Sequence, residues 1–264
     1  MILNLGLEKK VILVTASSRG LGKAIAIAMA KEGAYLVICA REKADLMQTA
    51  KIIDKYGVKC LAIQCDLTKY EDVKNLIKKA LEVFGTIDVL VANCGGPPAG
   101  SFSDFKIEDW KMAIDQVLMS SIYLCKEVIP IMKRRKNGRI IIITSVSVKQ
   151  PIKGLILSNV TRAGVAGLSK SLSEEFGKDN ILINIVCPSY THTQRVEDLA
   201  DFLSRKEQIS KEEIIHNWGN LNALGRIAEP EEIANVVAFL ASTQASHITG
   251  VALQIDGGYV KSLL

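Results

Sequence analysis

Residues 15–22, TASSRGLG, bring together hydroxyl, glycine and arginine residues in a pattern that suits the binding of phosphate. A short apolar run precedes this segment and a stretch with helical periodicity follows it, so the loop should lie at the N-terminus of a helix. Backbone amides at a helix N-terminus bind anions, and glycine lets the backbone approach a ligand closely. The phosphate-binding residues predicted by this pattern are Thr15, Ser17, Ser18, Arg19, Gly20, Leu21 and Gly22.

Arg41 stands just after a second apolar run, at residues 34–40. In dinucleotide-binding folds an acidic residue near this point holds the ribose 2′-hydroxyl of NAD, but here the run ends in Ala40. A guanidinium pairs with phosphate through two parallel hydrogen bonds, so Arg41 and Arg19 favour the 2′-phosphate of NADP. We therefore expect NADP(H) rather than NAD(H). The alternative is that Arg41 is merely solvated and no cofactor binds.

Ser145, Ser158 and Arg162 are a second group of residues whose side chains could act on a substrate. Ser145 follows the apolar run at residues 140–144, and Ser158 and Arg162 are four residues apart, so they share one helix face. A serine hydroxyl can orient a carbonyl oxygen, but it is a poor general acid without a partner. Arginine cannot release a proton at neutral pH, yet it can stabilise an oxyanion or bind ribose or phosphate. The residue types alone leave two readings open: a group that acts in catalysis, and a cleft that catalyses nothing.

Seven apolar runs, separated by helical segments, must position these groups. Strands are predicted at residues 11–16, 34–40, 60–66, 89–93, 140–144, 181–187 and 251–255. Helices are predicted at residues 20–32 and 43–56, and from an N-cap at Thr68 to about residue 84. Continuous apolar runs are typical of strands buried on both faces, as in a parallel sheet. The sequence therefore predicts one doubly wound α/β domain over residues 1–264, a Rossmann fold with a seven-stranded parallel sheet and helices on both faces.

A polar, helix-prone excursion at about residues 195–222 follows the sixth predicted strand. Its helical parts are expected at residues 197–206 and 211–218. Such folds place a substrate lid here, but a surface insertion without a function would show the same pattern. The sequence Gly95-Gly96-Pro97-Pro98 follows the fourth strand and is expected to wall the cleft, although a tight structural turn explains it equally well.

The composition excludes several other classes of protein. The 264 residues carry 33 basic and 28 acidic side chains, a net charge of only +5, and the basic run at residues 133–136 is typical of a helix C-terminus, so no nucleic-acid partner is expected. The six cysteines form no CxxC pair and no histidine cluster accompanies them, so no metal site is expected. No apolar stretch is long enough to cross a membrane and no signal peptide opens the chain, which predicts a cytoplasmic protein.

These motifs, taken in order, resemble those of the short-chain dehydrogenase/reductase family. Residues 15–22 resemble its TGxxxGxG loop, with Ala16 in place of the first glycine, and the similarity extends from about residue 7 to residue 260. Within the family the chain is most similar to bacterial 3-oxoacyl-[acyl-carrier-protein] reductases. The resemblance implies further cofactor contacts, to adenine and along the cleft to the nicotinamide, from Asp66, Leu67, Asn93, Gly95, Pro188, Thr191 and Thr193.

The family's catalytic groups are a serine, a tyrosine that protonates the carbonyl oxygen, a lysine and an asparagine. The corresponding positions here hold Ser145, Ser158, Arg162 and Val117, so only the serine is retained. The resemblance implies that Ser145, Ser158 and Arg162 are the catalytic residues of a rebuilt site. A divergent subgroup of the family resembles this chain in the Gly-Gly-Pro-Pro loop and in having serine and arginine at these positions. Other candidate proton donors are Tyr190, His192 and Lys149. A lone histidine in such a loop more often faces solvent, so His192 ranks below Ser158 with Arg162.

The resemblance implies an NADP(H)-dependent oxidoreductase acting on a small carbonyl or acyl substrate, in a homotetramer or homodimer. The homotetramer would be built from the fourth and fifth helices and the C-terminal strand. Two alternatives stay open: an inactive nucleotide-binding homologue that acts as a sensor or partner subunit, and a non-redox enzyme on the same fold. The sequence does not name the substrate or the proton donor. It also leaves open whether Ala16 and Ser189 obstruct the cofactor pocket.

Overall fold

The computed structural model describes residues 4–263, except for the side chain of Lys206. Its seven strands are β1 (Val11–Val14), β2 (Tyr35–Ala40), β3 (Cys60–Gln64), β4 (Val89–Ala92), β5 (Gly138–Ile143), β6 (Ile181–Pro188) and β7 (Ala252–Ile255). Each lies within two residues of its predicted bounds. All neighbouring strands are parallel, in the order β3-β2-β1-β4-β5-β6-β7. The predicted seven-stranded doubly wound fold is confirmed.

The strand order reverses between β1 and β4, and this reversal locates the ligand crevice. From β1 the chain builds outward to β2 and β3, then returns to the other side through β4. In register, Leu13 of β1 lies opposite both Val37 of β2 and Leu90 of β4. Loops leaving the carboxyl ends of β1 and β4 separate at such a reversal, so a crevice opens between them.

Nine helices occur in the described part of the chain. They are α1 (Gly20–Lys31), α2 (Lys43–Asp54), α3 (Tyr70–Phe84), α4 (Ile107–Ile114), α5 (Ser120–Arg135), α6 (Ile156–Phe176), α7 (Gln194–Glu207), α8 (Lys211–Asn220) and α9 (Pro230–Ala241). The predicted N-cap at Thr68 is wrong. Lys69 occupies the cap position, and the Thr68 hydroxyl donates instead to Asp66 Oδ1 at 2.8 Å.

Alternate residues of each strand point into two separate cores, one on each face of the sheet. Val11 and Leu13 of β1 pack in the core covered by α3, α5 and α6. Ile12 and Val14 pack in the core covered by α1, α2 and α9. This is why the central strands consist of continuous apolar runs, since both of their faces are buried.

The excursion after β6 folds into α7 and α8, which have a small apolar cluster of their own. Buried Ala200, Ile214 and Trp218 form its centre. The Tyr190 ring stacks on Trp218 with centroids 4.4 Å apart and planes inclined by 4°. The two helices are therefore held together independently of the main sheet. No helix between residues 4 and 263 is long and apolar enough to span a membrane.

Candidate functional site

A cleft of about 620 Å³ lies at the carboxyl edge of the sheet, where the strand order reverses. Its lining includes Arg41 after β2 and Ile143 at the end of β5. These strands are three positions apart in the sheet, so the cleft extends about 14 Å along the edge. The predicted cofactor residues that line it are Ser18, Arg19, Gly20, Leu21, Arg41, Asp66, Leu67, Asn93, Gly95 and Thr193.

The N-terminus of α1 is open to this cleft. Arg19 is its N-cap residue and its side chain makes no capping hydrogen bond, and no acidic residue lies in the first turn. The first amides of the helix are therefore available to an anion, and their partial positive charge favours phosphate. Gly20 has φ +56°, a conformation that suits glycine.

Close packing explains the second glycine of the loop. A Cβ at Gly22 would lie 2.3 Å from the backbone oxygen of Ala16, so only glycine lets the loop fold against α1. Ala16 itself has φ +47°, the left-handed region that the family's glycine would occupy without strain. Its methyl group leaves the cleft open, because Ala16 is one of the lining residues of a continuous cavity.

Thr15, Ser17 and Gly22 were predicted to bind phosphate, but they shape the loop instead of lining the cleft. The Thr15 hydroxyl donates to the Asn93 carbonyl at 2.7 Å and accepts from the Asn93 amide, which joins the loops after β1 and β4. The buried Ser17 hydroxyl accepts from the Cys39 amide at 3.1 Å, which joins the loop to β2. Buried hydroxyls bonded to backbone on both sides fix a loop, and the single proton that each could donate to a phosphate is already donated to a carbonyl.

Arg41, Asp66 and Leu67 meet at the β2–β3 end of the cleft. The Gln64 side chain donates to the Arg41 carbonyl at 2.8 Å, which fixes the backbone there. Within residues 4–263, neither Arg41 nor Arg19 forms an ion pair, although Glu42 and Asp45 also line this end. Both guanidiniums are therefore free to bind phosphate.

The segment after β6 brings α7 over the cleft. The methyl group of Thr193 lies 3.5 Å from where a Cβ of Gly20 would stand, so the start of α7 faces the phosphate loop. Pro188 and Thr191, predicted to contact the cofactor, are buried and do not line the cleft; the Thr191 hydroxyl donates to the Ser189 carbonyl. The Ser189 hydroxyl donates to the Asp256 carbonyl at 3.3 Å, so Ser189 does not obstruct the pocket.

Arg162 is the one predicted catalytic residue that lines the cleft, and it is only 9% exposed. Its Nε donates to the Ser158 hydroxyl at 3.1 Å and its Nη1 donates to the Ile143 carbonyl at 3.3 Å. Both acceptors are neutral oxygens. The guanidinium is thus held at the end of β5 with its charge uncompensated by any described carboxylate within ion-pair distance.

Comparison with known proteins identifies the family. A family described as Enoyl-(Acyl carrier protein) reductase matches residues 15–260. Dehydrogenase/reductase SDR family member 4 of Bos taurus is 32% identical over 258 residues, which is 97% of this chain and 89% of that protein. The chain belongs to the short-chain dehydrogenase/reductase family, a family of oxidoreductases.

Two solved structures of this family are similar over almost their whole length. L-Sorbose reductase from Gluconobacter frateurii, complexed with NADPH and L-sorbose, has a TM-score of 0.94 and 32% identity, and the match covers 99% of this chain and 100% of that one. Actinorhodin polyketide ketoreductase with NADPH has a TM-score of 0.93 and 30% identity, with 96% and 98% covered. The likeness includes the sheet edge at which the cleft lies.

The hydroxyls of Ser158 and Ser145 were expected to contact a substrate oxygen, but the structure places both side chains outside the cleft lining. Ser158 is 7% exposed and its oxygen accepts from Arg162, so it acts on the cleft through the arginine. The Ser145 oxygen accepts from the Ser147 amide at 3.1 Å and caps a short 3₁₀ turn. Arg162 alone presents a charged group to the cleft from this set.

The other proton-donor candidates also lie away from the cleft lining. Tyr190 packs against Trp218, and burial raises the pKa of its hydroxyl. The His192 ring lies between Glu229, at 3.1 Å, and Glu197, at 3.4 Å, and the residue is exposed. Lys149 is exposed beyond the 3₁₀ turn.

Gln116 and Arg195 line the cleft and were missed by sequence reasoning. Val117, at the family's asparagine position, is buried in the core, whereas Gln116 beside it faces Gly96. A π-helical turn at Asp115–Met119 separates α4 from α5 and shifts the helix register there. The only sequence signal that Gln116 rather than Val117 faces the cleft was the polar side chain of Gln116 next to the apolar Val117.

The Gly-Gly-Pro-Pro segment does wall the cleft, and its glycines make room for these two side chains. A Cβ at Gly95 would lie 2.9 Å from Gln116 Nε2, and one at Gly96 would lie 2.6 Å from Arg195 Nη2. Arg195 crosses the segment and donates from Nη1 to the Gly96 carbonyl at 3.0 Å and from Nη2 to the Pro97 carbonyl at 2.7 Å. Desolvation and the positive charge of Arg162 lower the pKa of Arg195.

Two cysteines, Cys65 and Cys94, line the cleft. All six cysteines are free. Burial raises the pKa of the Cys94 thiol, against the smaller opposing effect of Arg162 and Arg195, so the thiol beside these arginines is not an activated nucleophile. No group of three or more metal-ligating side chains occurs among residues the structure describes.

Proposed function

We propose that this protein is an NADP(H)-dependent oxidoreductase that interconverts a carbonyl compound and its alcohol, with a chemistry similar to 3-oxoacyl-[acyl-carrier-protein] reduction. One observation carries the proposal. A single cleft joins an uncapped helix N-terminus and two arginines without a described ion pair, Arg19 and Arg41, to the nearly buried guanidinium of Arg162. The spacing of these groups suits the two ends of a dinucleotide.

The residues present fit NADP(H). The α1 amides would hold the pyrophosphate, and Arg19 and Arg41 would hold the 2′-phosphate. Asp66 would contact the adenine, since its Oδ1 is occupied by Thr68 while Oδ2 has no described partner. Two similar structures, L-sorbose reductase and actinorhodin polyketide ketoreductase, were solved with NADPH, which supports this choice of cofactor.

NADPH, when bound, supplies a hydride to the carbonyl carbon of the substrate. Arg162 stabilises the negative charge that develops on the carbonyl oxygen, because its guanidinium is nearly buried and pairs with no described carboxylate. Arginine keeps its own proton, so the oxygen takes a proton from water in the open cleft. Ser158 fixes the guanidinium in place and is a positioning residue.

Calorimetric titration of the protein with NADPH and with NADH tests the cofactor proposal. We expect NADPH to bind at micromolar concentration and NADH at least about 10-fold more weakly, because a guanidinium–phosphate pair is a charge-assisted hydrogen bond. Arg41→Ala should weaken NADPH binding and leave NADH binding unchanged. Lys59→Ala, outside the cleft, is the control. Equal affinity for the two cofactors would overturn the preference, and binding of neither would overturn the function.

A second candidate is a nucleotide-binding protein without hydride transfer. It is favoured by the absence of any histidine, tyrosine or lysine from the described cleft lining, where the family has its tyrosine and lysine. The candidate would be supported by a wild-type protein that binds NADPH but does not oxidise it in the presence of any carbonyl compound tested, provided that Ser158→Tyr combined with Arg162→Lys restores NADPH oxidation.

We also propose that the protein is a homotetramer, as its family resemblance implies. The apolar side chains of Ile107 and Met112 on α4 are 65% and 59% exposed, and Val160 on α6 is 51% exposed, which supports contact of these helices with another copy. Light scattering after gel filtration measures the mass directly. Met112→Lys should reduce the mass; a monomeric wild type would contradict the proposal.

A further inference from the structure

Two arginines lie in the cleft with only neutral partners. Arg162 donates to a hydroxyl and a carbonyl, and Arg195 donates to two carbonyls. No described carboxylate is within 4 Å of either guanidinium. Placing two like charges together in a partly desolvated site is unfavourable unless an anion joins them. The arrangement therefore has the electrostatics of an anion-binding site.

Arg195 is held in this position by the local backbone. Because Gly96 has no Cβ, the guanidinium lies flat against its backbone, where a Cβ would come within 2.6–2.8 Å of Nη2, Cζ and Nε. The two bonds to the carbonyls of Gly96 and Pro97 fix its orientation, and Nε makes no described hydrogen bond. The residue as a whole is exposed, so a ligand in the cleft can reach it.

Acidic residues of the cleft do not neutralise the pair. Glu42, Asp45 and Asp66 line the β2–β3 end, several strands away from Arg162. Asp198, on α7 with Arg195, accepts from Gln194 Nε2 at 2.9 Å and forms no ion pair with either arginine. Asp198 raises the pKa of Arg195 only weakly compared with the lowering by desolvation and by Arg162. The positive charge is thus left for a ligand.

The wall beside Arg195 is apolar. Leu199 and Phe202, one and two turns further along α7, line the same cleft, and Phe202 is 53% exposed. Pro98 and Ala99 line it from the Gly-Gly-Pro-Pro side. A ligand that fits here carries an anionic group beside an alkyl or aryl body.

We propose that the substrate is an oxo acid, a carbonyl compound that carries a carboxylate, and that Arg195 selects it by binding that carboxylate. The inference rests on the proposed function. Arg162 faces the carbonyl oxygen, and Arg195 on α7 faces the carboxylate of the same molecule. A planar guanidinium suits a carboxylate because the two groups can form parallel hydrogen bonds.

The reaction balances without a further reactant. The carbonyl carbon of the oxo acid gains a hydride from NADPH, the carbonyl oxygen gains a proton from water, and the products are a hydroxy acid and NADP⁺. The carboxylate is unchanged. The two arginines therefore have separable effects: loss of Arg162 impairs the reduction of every carbonyl compound, whereas loss of Arg195 impairs only that of the acids.

Matched substrates test this separation. The rates of NADPH oxidation with acetoacetate and phenylpyruvate are compared with those for their neutral methyl esters. We expect kcat/KM to be at least about 10-fold higher for the acids, and Arg195→Gln to lower kcat/KM for the acids to about that of the esters. Arg195→Lys keeps the charge and should retain part of the preference. Arg205→Gln, on α7 outside the cleft, is the control. Esters that react as well as acids, or a preference that survives Arg195→Gln, would overturn the proposal.

A binding experiment separates this inference from the proposed function. Malonate and neutral malonamide are titrated into the protein, free and saturated with NADP⁺. Malonate should bind both forms at least about 10-fold more tightly than malonamide, and Arg195→Gln but not Arg205→Gln should remove the difference. This result without carbonyl reduction would support the anion site and refute the proposed function. Malonate binding that vanishes when NADP⁺ is present would assign the arginines to the cofactor's phosphates and overturn the proposal, as would equal binding of the two probes.

Discussion

The Nε of Arg162 donates to the Ser158 hydroxyl at 3.1 Å, so the residues at the family's lysine and tyrosine positions act as one unit. In the family the tyrosine contacts the substrate and the lysine supports it. Here the order is reversed: the arginine lines the cleft and the serine lies behind it. A buried charge held by neutral acceptors can stabilise an oxyanion, which is how the proposed reductase would act without a phenol.

Removal of the Ser158 hydroxyl should weaken this arrangement without abolishing it. We expect Ser158→Ala to lower kcat about 3- to 10-fold with KM little changed, because the guanidinium loses one of two fixed partners. Ser158→Thr keeps the hydroxyl and should recover most of the rate. Steady-state kinetics on purified variants checks this. A fall in kcat of Ser158→Thr equal to that of Ser158→Ala, with both proteins folded, would contradict a role through the hydrogen bond.

Loss of the Arg162 guanidinium should have a larger effect. Arg162→Ala removes the charge that faces the carbonyl oxygen, and we expect kcat to fall about 100- to 1,000-fold, as for other oxyanion donors. NADPH affinity, measured by calorimetry, shows whether the cofactor site is intact. The double variant Ser158→Tyr with Arg162→Lys should have a kcat no higher than that of the wild type. A higher kcat would show that Ser158 and Arg162 form a weaker catalyst than the family's tyrosine and lysine.

The sequence predicted the sheet and the position of the glycine-containing loop well because both depend on local patterns. Continuous apolar runs identified all seven strands, and the loop between β1 and α1 carried its own glycine spacing. Arg195 and Gln116 could not be predicted this way, since they reach the cleft through the folding back of α7 and through a π-helical turn. Ser158 was placed on the correct helix face, but only the packing shows that Arg162 stands between it and the cleft.

Ala16 is a site at which a substitution should stabilise the protein. Its φ of +47° is unfavourable for a residue with a Cβ, and glycine relieves this at some cost in unfolded-chain entropy. We expect Ala16→Gly to raise the free energy of unfolding by up to about 1 kcal/mol, measured by urea denaturation, with NADPH affinity unchanged or tighter. Ala44→Gly, on the exposed side of α2, should act in the opposite direction. A lower free energy of unfolding for Ala16→Gly than for the wild type would contradict the claim that the backbone is strained at Ala16.

The ion pair that begins α9 predicts a pH dependence of stability. Two hydrogen bonds from Arg226, followed by one from the Glu229 amide, lower the pKa of Glu232 to about 2. Because the folded-state pKa lies below the unfolded one, the carboxylate stabilises the fold fully above the ordinary value of 4.5, and this contribution is lost as pH falls toward 2.

Glu232→Gln should therefore be less stable than the wild type at pH 7 and pH 5, and the difference should shrink at pH 3.5. Urea denaturation at the three pH values measures it. Glu82→Gln, which disrupts only an exposed pair at 3.9 Å from Lys78, is the control and should change stability little. A difference that stays constant down to pH 3.5 would mean that the charge of Glu232 does not contribute.

Gly96 connects the shape of the cleft wall to substrate choice. A Cβ at Gly96 would lie 2.6 Å from Arg195 Nη2, and since the guanidinium is the free end of a flexible side chain, it would move away and the fold would persist. We expect Gly96→Ala to lower kcat/KM for oxo acids toward that of their methyl esters, as Arg195→Gln does, without changing the melting temperature. Gly167→Ala, which meets nothing within 4 Å, is the matched control. Combining Gly96→Ala with Arg195→Gln should add nothing further, because both changes remove the same guanidinium from the same place. An additive loss would mean that Gly96 affects the substrate by another route.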